Sequence, residues 1–312
     1  MGPDIATVID EALTRTWNLL WPLRPGVWIR LAIIALFLGG VVINPFKTDT
    51  GLSKITDISS PAAVSGYMDI LITLAAGIIV TGAIYVMISS ILQFIFVDCL
   101  SSGNIQLTRT MRLRWGKGIR LVGFYLVLLL VILITMIFLM IQILIPGMQG
   151  GYFDLIRFLI LLIETLLISL IVLIPVWIIA ILTGDFVVPV MIVDDSGIIS
   201  GWNKTIRLFS GRWREAGIYT GLKILLIFVT GIILGIVIFL ISIPLGLINM
   251  AISIGSGLTP DQGNSEIIMF GAGTGVMILI SLFLLVPVIT FFRYYSLAVL
   301  RDLDPDYNLL PE

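Results

Sequence analysis

The sequence predicts an all-α, polytopic membrane protein: six transmembrane helices in three pseudo-repeats, with amphipathic helices on the cytoplasmic surface. Three observations lead there. Of 312 residues, 59% are hydrophobic and only 12% charged, about half the roughly 25% that a soluble domain uses to cover its surface. The apolar residues gather into long runs separated by short polar connections. Landmark Asp and Trp residues then recur along the chain at similar offsets.

The same composition excludes whole classes of function. There is no histidine, which removes the commonest general base, the Ser-His and Cys-His nucleophile systems and every His-containing metal site. A single cysteine, Cys99, excludes an intrachain disulfide and a thiolate metal cluster. Net charge is −1, so the chain has no electrostatic bias toward nucleic acid. No GxxxxGK[ST], GxGxxG or HExxH motif occurs. No cofactor, metal or nucleic-acid partner is expected, and no residue is singled out as catalytic.

The first 20 residues carry Asp4, Asp10 and Glu11 without a basic n-region, so a secretory signal is not expected. The first apolar run opens after Pro25 and reaches about Ile43, one span at 1.5 Å per residue. Five further spans are predicted at about 66–97, 119–145, 155–193, 216–248 and 267–300. The 155–193 run has no internal polar turn and reads as one helix interrupted by Pro175 and Pro189; Pro244 and Pro287 are expected to kink later spans. Gly217/Gly221, Gly231/Gly235 and Gly271/Gly275 have the spacing that lets helices approach closely. Of the 18 lysines and arginines, all but Lys47, Lys54 and Arg157 fall on the side of the termini. That asymmetry puts both termini in the cytoplasm of a cell-membrane protein.

The even-numbered spans end alike, in FIFVDCLSSGNI at Asp98, VPVMIVDDSGII at Asp194 and YSLAVLRDLDPD at Asp302. A basic, Trp-containing segment follows the first two, with Trp115 and Trp213 as landmarks, and IDEALTRTWNLLWPLRPGVWIRL opens the chain in the same style. The chain therefore reads as a single membrane domain over 1–312, built of units at about 1–98, 99–194 and 195–302 with a tail at 303–312. In the third amphipathic segment Ile199, Trp202, Ile206, Phe209 and Trp213 recur at helical spacing, as Ile5, Ile9, Leu13, Trp17 and Leu20 do in the first. The second alternates like a strand and is read as helix only from the repeat. Arg109, Arg112, Arg114, Lys117, Lys204, Arg207, Arg212 and Arg214, with Trp202 and Trp213, are the candidates for meeting lipid headgroups.

Charges inside spans are costly, so they form the other candidate set. Asp185 precedes Asp194, and Arg293 precedes Asp302, by the same nine residues. The repeat thus puts them at one depth, about 13 Å from the cytoplasmic end, with Ser89 as the third equivalent. A buried Asp185–Arg293 pair is expected, either clamping two helices or serving a transport site. Glu164 and Asp69 share a second level, and Arg157 lies two turns from Glu164 on the same face. Lys223 is expected to snorkel to the cytoplasmic face.

Taken together, EALTRTWNLLWPLRPGVWIRLAIIALFLGG, FVDCLSSGNIQLTRTMRLRWGKGIRL, DFVVPVMIVDDSGIISGW and FFRYYSLAVLRDLDPDYNLLPE resemble a family of archaeal multi-pass membrane proteins known only as a domain of unknown function. More loosely, the pattern is similar to the membrane domain attached to some glycerophosphodiester phosphodiesterases. The catalytic barrel and metal ligands of those enzymes are missing here, so the resemblance implies no hydrolase activity. The function expected is that of a non-enzymatic membrane protein engaging lipid or a partner through its basic, Trp-rich cytoplasmic collar, with membrane lipids, a membrane-protein partner or further copies of itself as partners. The alternative is a small transporter or lipid-translocating protein working at Asp185/Arg293 or Asp69/Glu164.

Overall fold

The computed structural model describes residues 5–39, 61–102, 107–148, 155–255 and 263–310, and every element among them is helical. In chain order these are α1 (Ile5–Leu20), α2 (Pro25–Leu38), α3 (Pro61–Ser102), α4 (Leu107–Met148), α5 (Leu155–Leu182), a π-helical turn (Thr183–Val187), α6 (Val188–Val193), α7 (Ile198–Ser210), α8 (Trp213–Gly255) and α9 (Gly263–Leu303). A short 3₁₀ turn, Pro305–Tyr307, follows α9.

Among the described residues five helices are long and apolar enough to cross a membrane, with candidate spans Ile79–Ser101, Gly116–Leu139, Leu159–Val193, Trp213–Ile248 and Gly275–Leu303. They match the second to sixth predicted runs, and the 155–193 run is indeed one continuous helical segment. The first run is represented by α2, 14 residues long and so about 21 Å, short of a full crossing; residues beyond Gly39 in that run, and most of the predicted outer loops, lie outside the described residues. The segment with strand-like alternation is helical from Leu107 and continues without a break into α4. A long helix propagates cooperatively from its apolar part, and this outweighs the poor local pattern.

The chain forms two compact units. One comprises residues 1–60, 99–105 and 207–312; the other comprises 61–98 and 106–206.

In the first unit α9 is the central element, and α1, α2 and α8 all pack on it. From Arg293 to Leu300 every α9 side chain is buried, and apart from Arg293 and Ser296 that stretch is apolar or aromatic all round rather than striped. Helix α1 docks through Val8, Ala12, Thr16 and Leu20, a ridge of four-residue spacing in which the two middle members are small. Helix α2 buries Leu31, Ile34 and Ala35, the i, i+3, i+4 face of a short apolar helix. Its Trp28 stacks on Phe283 with ring centroids 4.5 Å apart.

In the second unit α4 packs along α5, and Gly118 of α4 meets Ile91 of α3 so closely that a Cβ there would lie 2.9 Å from Ile91 Cγ1. Helix α7 comes equally close to the π turn and α6 through Gly201, facing Val187 and Met191. In hydrocarbon there is no hydrophobic drive to bring helices together, so glycine at these crossings lets backbones approach and recover dispersion contact instead. The expected Gly pairs play no such part: at Gly217, Gly221, Gly231, Gly235 and Gly275 an added Cβ would meet open space. These positions turn away from the helix crossings of their unit, and the side chain of Gly271 lies outside the described residues.

Candidate functional site

Two arrangements carry chemistry. The first is the set of short helices that precede spans. Because α1 docks by Val8, Ala12 and Thr16, its more apolar stripe is left uncovered. Leu13 is exposed, Trp17 is 65% exposed, and Trp21 just beyond the helix stacks on Trp17 at 5.6 Å. In the second unit α7 obeys the same rule. Gly201 and Thr205 are buried, while Ile199 is 76% exposed and Ile206 is exposed too. The predicted α7 stripe is therefore split: Phe209 is buried, Trp202 is half-buried with its ring 6.3 Å from Phe124, and Trp213 at the start of α8 is 62% exposed. Side chains of Arg24, Arg30, Arg120, Arg207, Arg212 and Arg214 are exposed. Those of Arg109, Arg112 and Arg114 lie outside the described residues.

Charge pairing fixes how these helices sit. Glu11 of α1 takes a two-pronged hydrogen bond from Arg301 of α9, Nη1 to Oε1 and Nη2 to Oε2, both 2.8 Å, and Arg15 adds a third donor at 2.9 Å. The Arg301 guanidinium holds the Glu11 carboxyl below the usual carboxylate range against the opposing effect of partial burial. In the second unit Lys117 of α4 donates to the carbonyl of Met191 at 2.8 Å and pairs with Asp195. In the first, Arg212 donates to the carbonyl of Leu303 at 3.2 Å. Each is a cation on the negative end of a helix, where the last carbonyls have no helical partner. Lys204 pairs with Asp194 at 2.9 Å, and Asp195 takes the left-handed φ of 49° that lets the chain leave α6 and enter α7.

The second arrangement is a groove of about 550 Å³ between α3, α4 and α5 of the second unit. Tyr85, Ser89 and Gln93 line it from α3, Tyr125 and Leu129 from α4, and Trp177 and Ala180 from α5, among other apolar residues. At one end the Tyr125 hydroxyl donates to Gln93 Oε1 at 3.1 Å and lies 3.5 Å from the Ala180 carbonyl. Gly184 adjoins this end: a Cβ on it would lie 3.8 Å from Gln93 Oε1 and 3.9 Å from the Tyr125 hydroxyl. The widened turn there has a local cause. Pro189 offers no N–H to the carbonyl of Asp185 and crowds it, and the turn before it, Thr183–Val187, is wound as π helix. An extra residue in a turn rotates the remainder of the helix by about 100°. Asp185, within that turn, is buried.

The structure places the predicted intramembrane set unevenly. Ser89 lines the groove. Asp185 is buried in the second unit and Arg293 in the first, and neither is without a partner. Glu164 is exposed on α5; the side chains of Asp69 and Arg157 lie outside the described residues. Lys223 differs from expectation. It is buried, with its ammonium 6.0 Å from the centroid of Tyr219 and 5.8 Å from that of Phe292, about the range at which a ring face attracts a cation. Gln93, Tyr125 and Trp177 carry no charge, so a reading led by intramembrane charge passes over them. Gln93 stands alone as an amide in ISSILQFIFV, and attention to uncharged polar groups inside spans would find it. Among the described residues, no cluster of His, Cys, Asp and Glu could hold a metal.

Helices of this length and apolarity, with unpaired outward faces, are the mark of a multi-span α-helical membrane protein. The chain belongs to DUF7544, a family of unknown function, whose model matches residues 4–310. No curated protein and no solved structure matches it.

Proposed function

We propose that this is a non-enzymatic integral protein of the cell membrane, with both termini cytoplasmic, that grips the anionic headgroup layer through three repeated basic, tryptophan-bearing segments. The observation that carries this reading is the way α1 and α7 dock. Each docks partly through small residues, Ala12 and Thr16 in α1 and Gly201 and Thr205 in α7, and leaves large apolar or aromatic residues uncovered, Leu13 and Trp17, with Trp21 just beyond the helix, in one and Ile199 and Ile206 in the other. Such faces are stable only where something apolar receives them. On the cytoplasmic side of spans, beside exposed arginines, the boundary between acyl chains and headgroups does so. The cation-to-carbonyl bonds, Lys117 to Met191 and Arg212 to Leu303, are alike in kind, each running from just before one predicted span to the end of the next.

The test is the thermal unfolding of the intact protein in nanodiscs of purely zwitterionic lipid and of lipid containing an anionic fraction. The anionic discs are expected to raise the midpoint in low salt, and replacing Arg207, Arg212 and Arg214 together by Gln is expected to remove most of that rise. A midpoint indifferent to lipid charge counts against the proposal.

A second reading rests on Asp185. A buried carboxylate on a π turn inside a span is the type of group that translocating proteins use, and a pairing with Arg293 would make the two a gate for lipid movement. Loss of folded yield in Asp185→Asn, restored by exchanging the two charges in a double variant, supports pairing; no restoration removes it.

A further inference from the structure

The groove of the second unit has a depth, a mouth and a size that bear on what fills it. Its lining runs from Tyr85 to Gln93 on α3, from Tyr125 to Ile132 on α4 and from Leu173 to Ala180 on α5. Each stretch falls inside its candidate span, and none comes closer than six residues to a span end. At about 9 Å of helix or more from those ends, the groove lies where a bilayer offers hydrocarbon rather than headgroups or water. Tyr85, Ile174 and Trp177 line it and are also exposed, so its mouth opens outward. Small side chains at Ser89 and Ala180, set beside the large Tyr85, Gln93 and Trp177, leave the hollow. The α3 wall is mixed, with Tyr85, Ser89 and Gln93 at four-residue spacing, whereas the α4 and α5 walls are mainly aliphatic, with Tyr125 and Trp177 among them. None of Tyr85, Gln93 and Tyr125 is without a partner, so these groups call for no polar ligand. No lining residue is a carboxylate, ammonium or guanidinium, so a charged group here would find no counter-charge in the lining.

We infer that this groove holds one hydrocarbon chain of a membrane lipid, lying along the aliphatic α4 and α5 walls. Size decides between a chain and a helix. The groove offers about 550 Å³ over a length of about 11–12 Å, whereas a helix with its side chains, 10–12 Å across, fills about 900 Å³ or more of that length. A helix from a partner or a second copy is too thick to lie in it. Depth decides between the two ends of a lipid, since at mid-span a bilayer has chains to offer and no headgroups. The holding force is dispersion. A chain gains no hydrophobic energy in leaving the bilayer for the groove, but an empty groove leaves its lining atoms without neighbours. The chain also gives up conformational freedom, so it is held weakly and exchanges. The Trp177 ring supplies a broad apolar flank for it. This inference rests on α3, α4 and α5 being spans and not on the headgroup contacts of the collar.

The test uses the intact protein in nanodiscs containing a rising fraction of phosphatidylcholine with a diazirine midway along one chain, with cross-links mapped by mass spectrometry. Labelling of Leu129, Ile132 and Leu173 is expected to saturate, while that of the outward Ile163 and Ile171 climbs in proportion to the probe. Ala180→Phe and Leu129→Trp, which fill the groove, should each remove the saturable component, and Ile171→Phe should leave groove labelling unchanged. Phosphatidylglycerol bearing the same chain should label the groove equally, which keeps this outcome apart from any effect of lipid charge on the collar. Groove labelling that climbs in proportion to the probe, as at Ile171, overturns the inference. So does labelling that requires the anionic headgroup, since the head would then place the lipid. A groove unlabelled at every probe fraction, as beneath a bound ring compound or a partner, overturns it too. Saturable labelling that survives in both filled variants at the wild-type unfolding midpoint does the same. If both filled variants unfold, saturation in the wild type decides.

Discussion

Glu11 and Arg301 form a two-pronged ion pair, two parallel hydrogen bonds of 2.8 Å joining α1 to α9. Two parallel prongs give geometry as well as charge, and with both groups about a quarter exposed the pair sits between a surface bridge and a buried one. Glu11→Gln is expected to lower stability by about 1–2 kcal/mol in thermal unfolding. The lowered carboxyl also sets the sign of the pH dependence. The folded carboxyl titrates below its usual 4.5, so its contribution is complete above that value and is lost as pH falls through the lowered value. The wild type should therefore lose stability on acidification below about pH 4.5 more steeply than Glu11→Gln. Gly201 makes a second prediction of this size. A methyl there would stand 2.9 Å from Val187 Cγ1 and 3.1 Å from Met191 Cγ, and a β-branched neighbour has little freedom to retreat. Gly201→Ala should cost about 1–3 kcal/mol, whereas Gly217→Ala, which meets open space, should gain up to about 1 kcal/mol from helix propensity alone.

Among the elements, helix ends decide more than helix interiors. Lys117 holds the last turn of α6 by its carbonyl at Met191 and the adjoining loop by Asp195. Lys117→Met keeps most of the apolar stem and removes both bonds. Faster amide exchange confined to residues 188–210 is expected, with no change along α8 or α9; protection that stays intact would show the lysine to be incidental. The elements are largely legible in the sequence because hydropathy alone fixes where spans run. Pro25 announces the start of α2, and the absence of any polar turn between Pro175 and Pro189 foretells one continuous segment. The π turn is not legible, since its cause is a conflict between Pro189 and the carbonyl of Asp185 that arises only once the helix is wound. Docking faces are hidden for a related reason. Hydrophobic periodicity points to Leu13 and Trp17, yet in a membrane protein the apolar stripe is not the packing stripe, and Ala12, Thr16 and Gly201 pack because they are small. Lys223 is buried beside Tyr219, one turn away, and Phe292 of α9, and the second of these neighbours is set by helix packing that periodicity along α8 does not reveal.

The whole molecule reflects the solvent it is built for. Ile171, Leu279 and Phe228 are mostly exposed, and at about 25 cal/mol per Å² such side chains would make the folded chain insoluble in water; facing lipid they cost nothing. None of the most apolar window of Leu159–Val193 or of Trp213–Ile248 is buried in protein, which is the inverse of a soluble core. The uncovered tryptophans near the ends of spans then become the place to probe how the protein meets its membrane. The direct measurement is a depth profile of tryptophan quenching. The intact protein, with Trp17, Trp21 and Trp213 retained and the other tryptophans replaced by Phe, is reconstituted in vesicles containing lipids brominated at successive acyl positions. Strongest quenching from the bromines nearest the headgroup, deepening when anionic lipid is added, is the predicted result. Quenching that is absent, or that peaks at the bilayer centre irrespective of lipid charge, would contradict the proposal that these segments engage the headgroup layer.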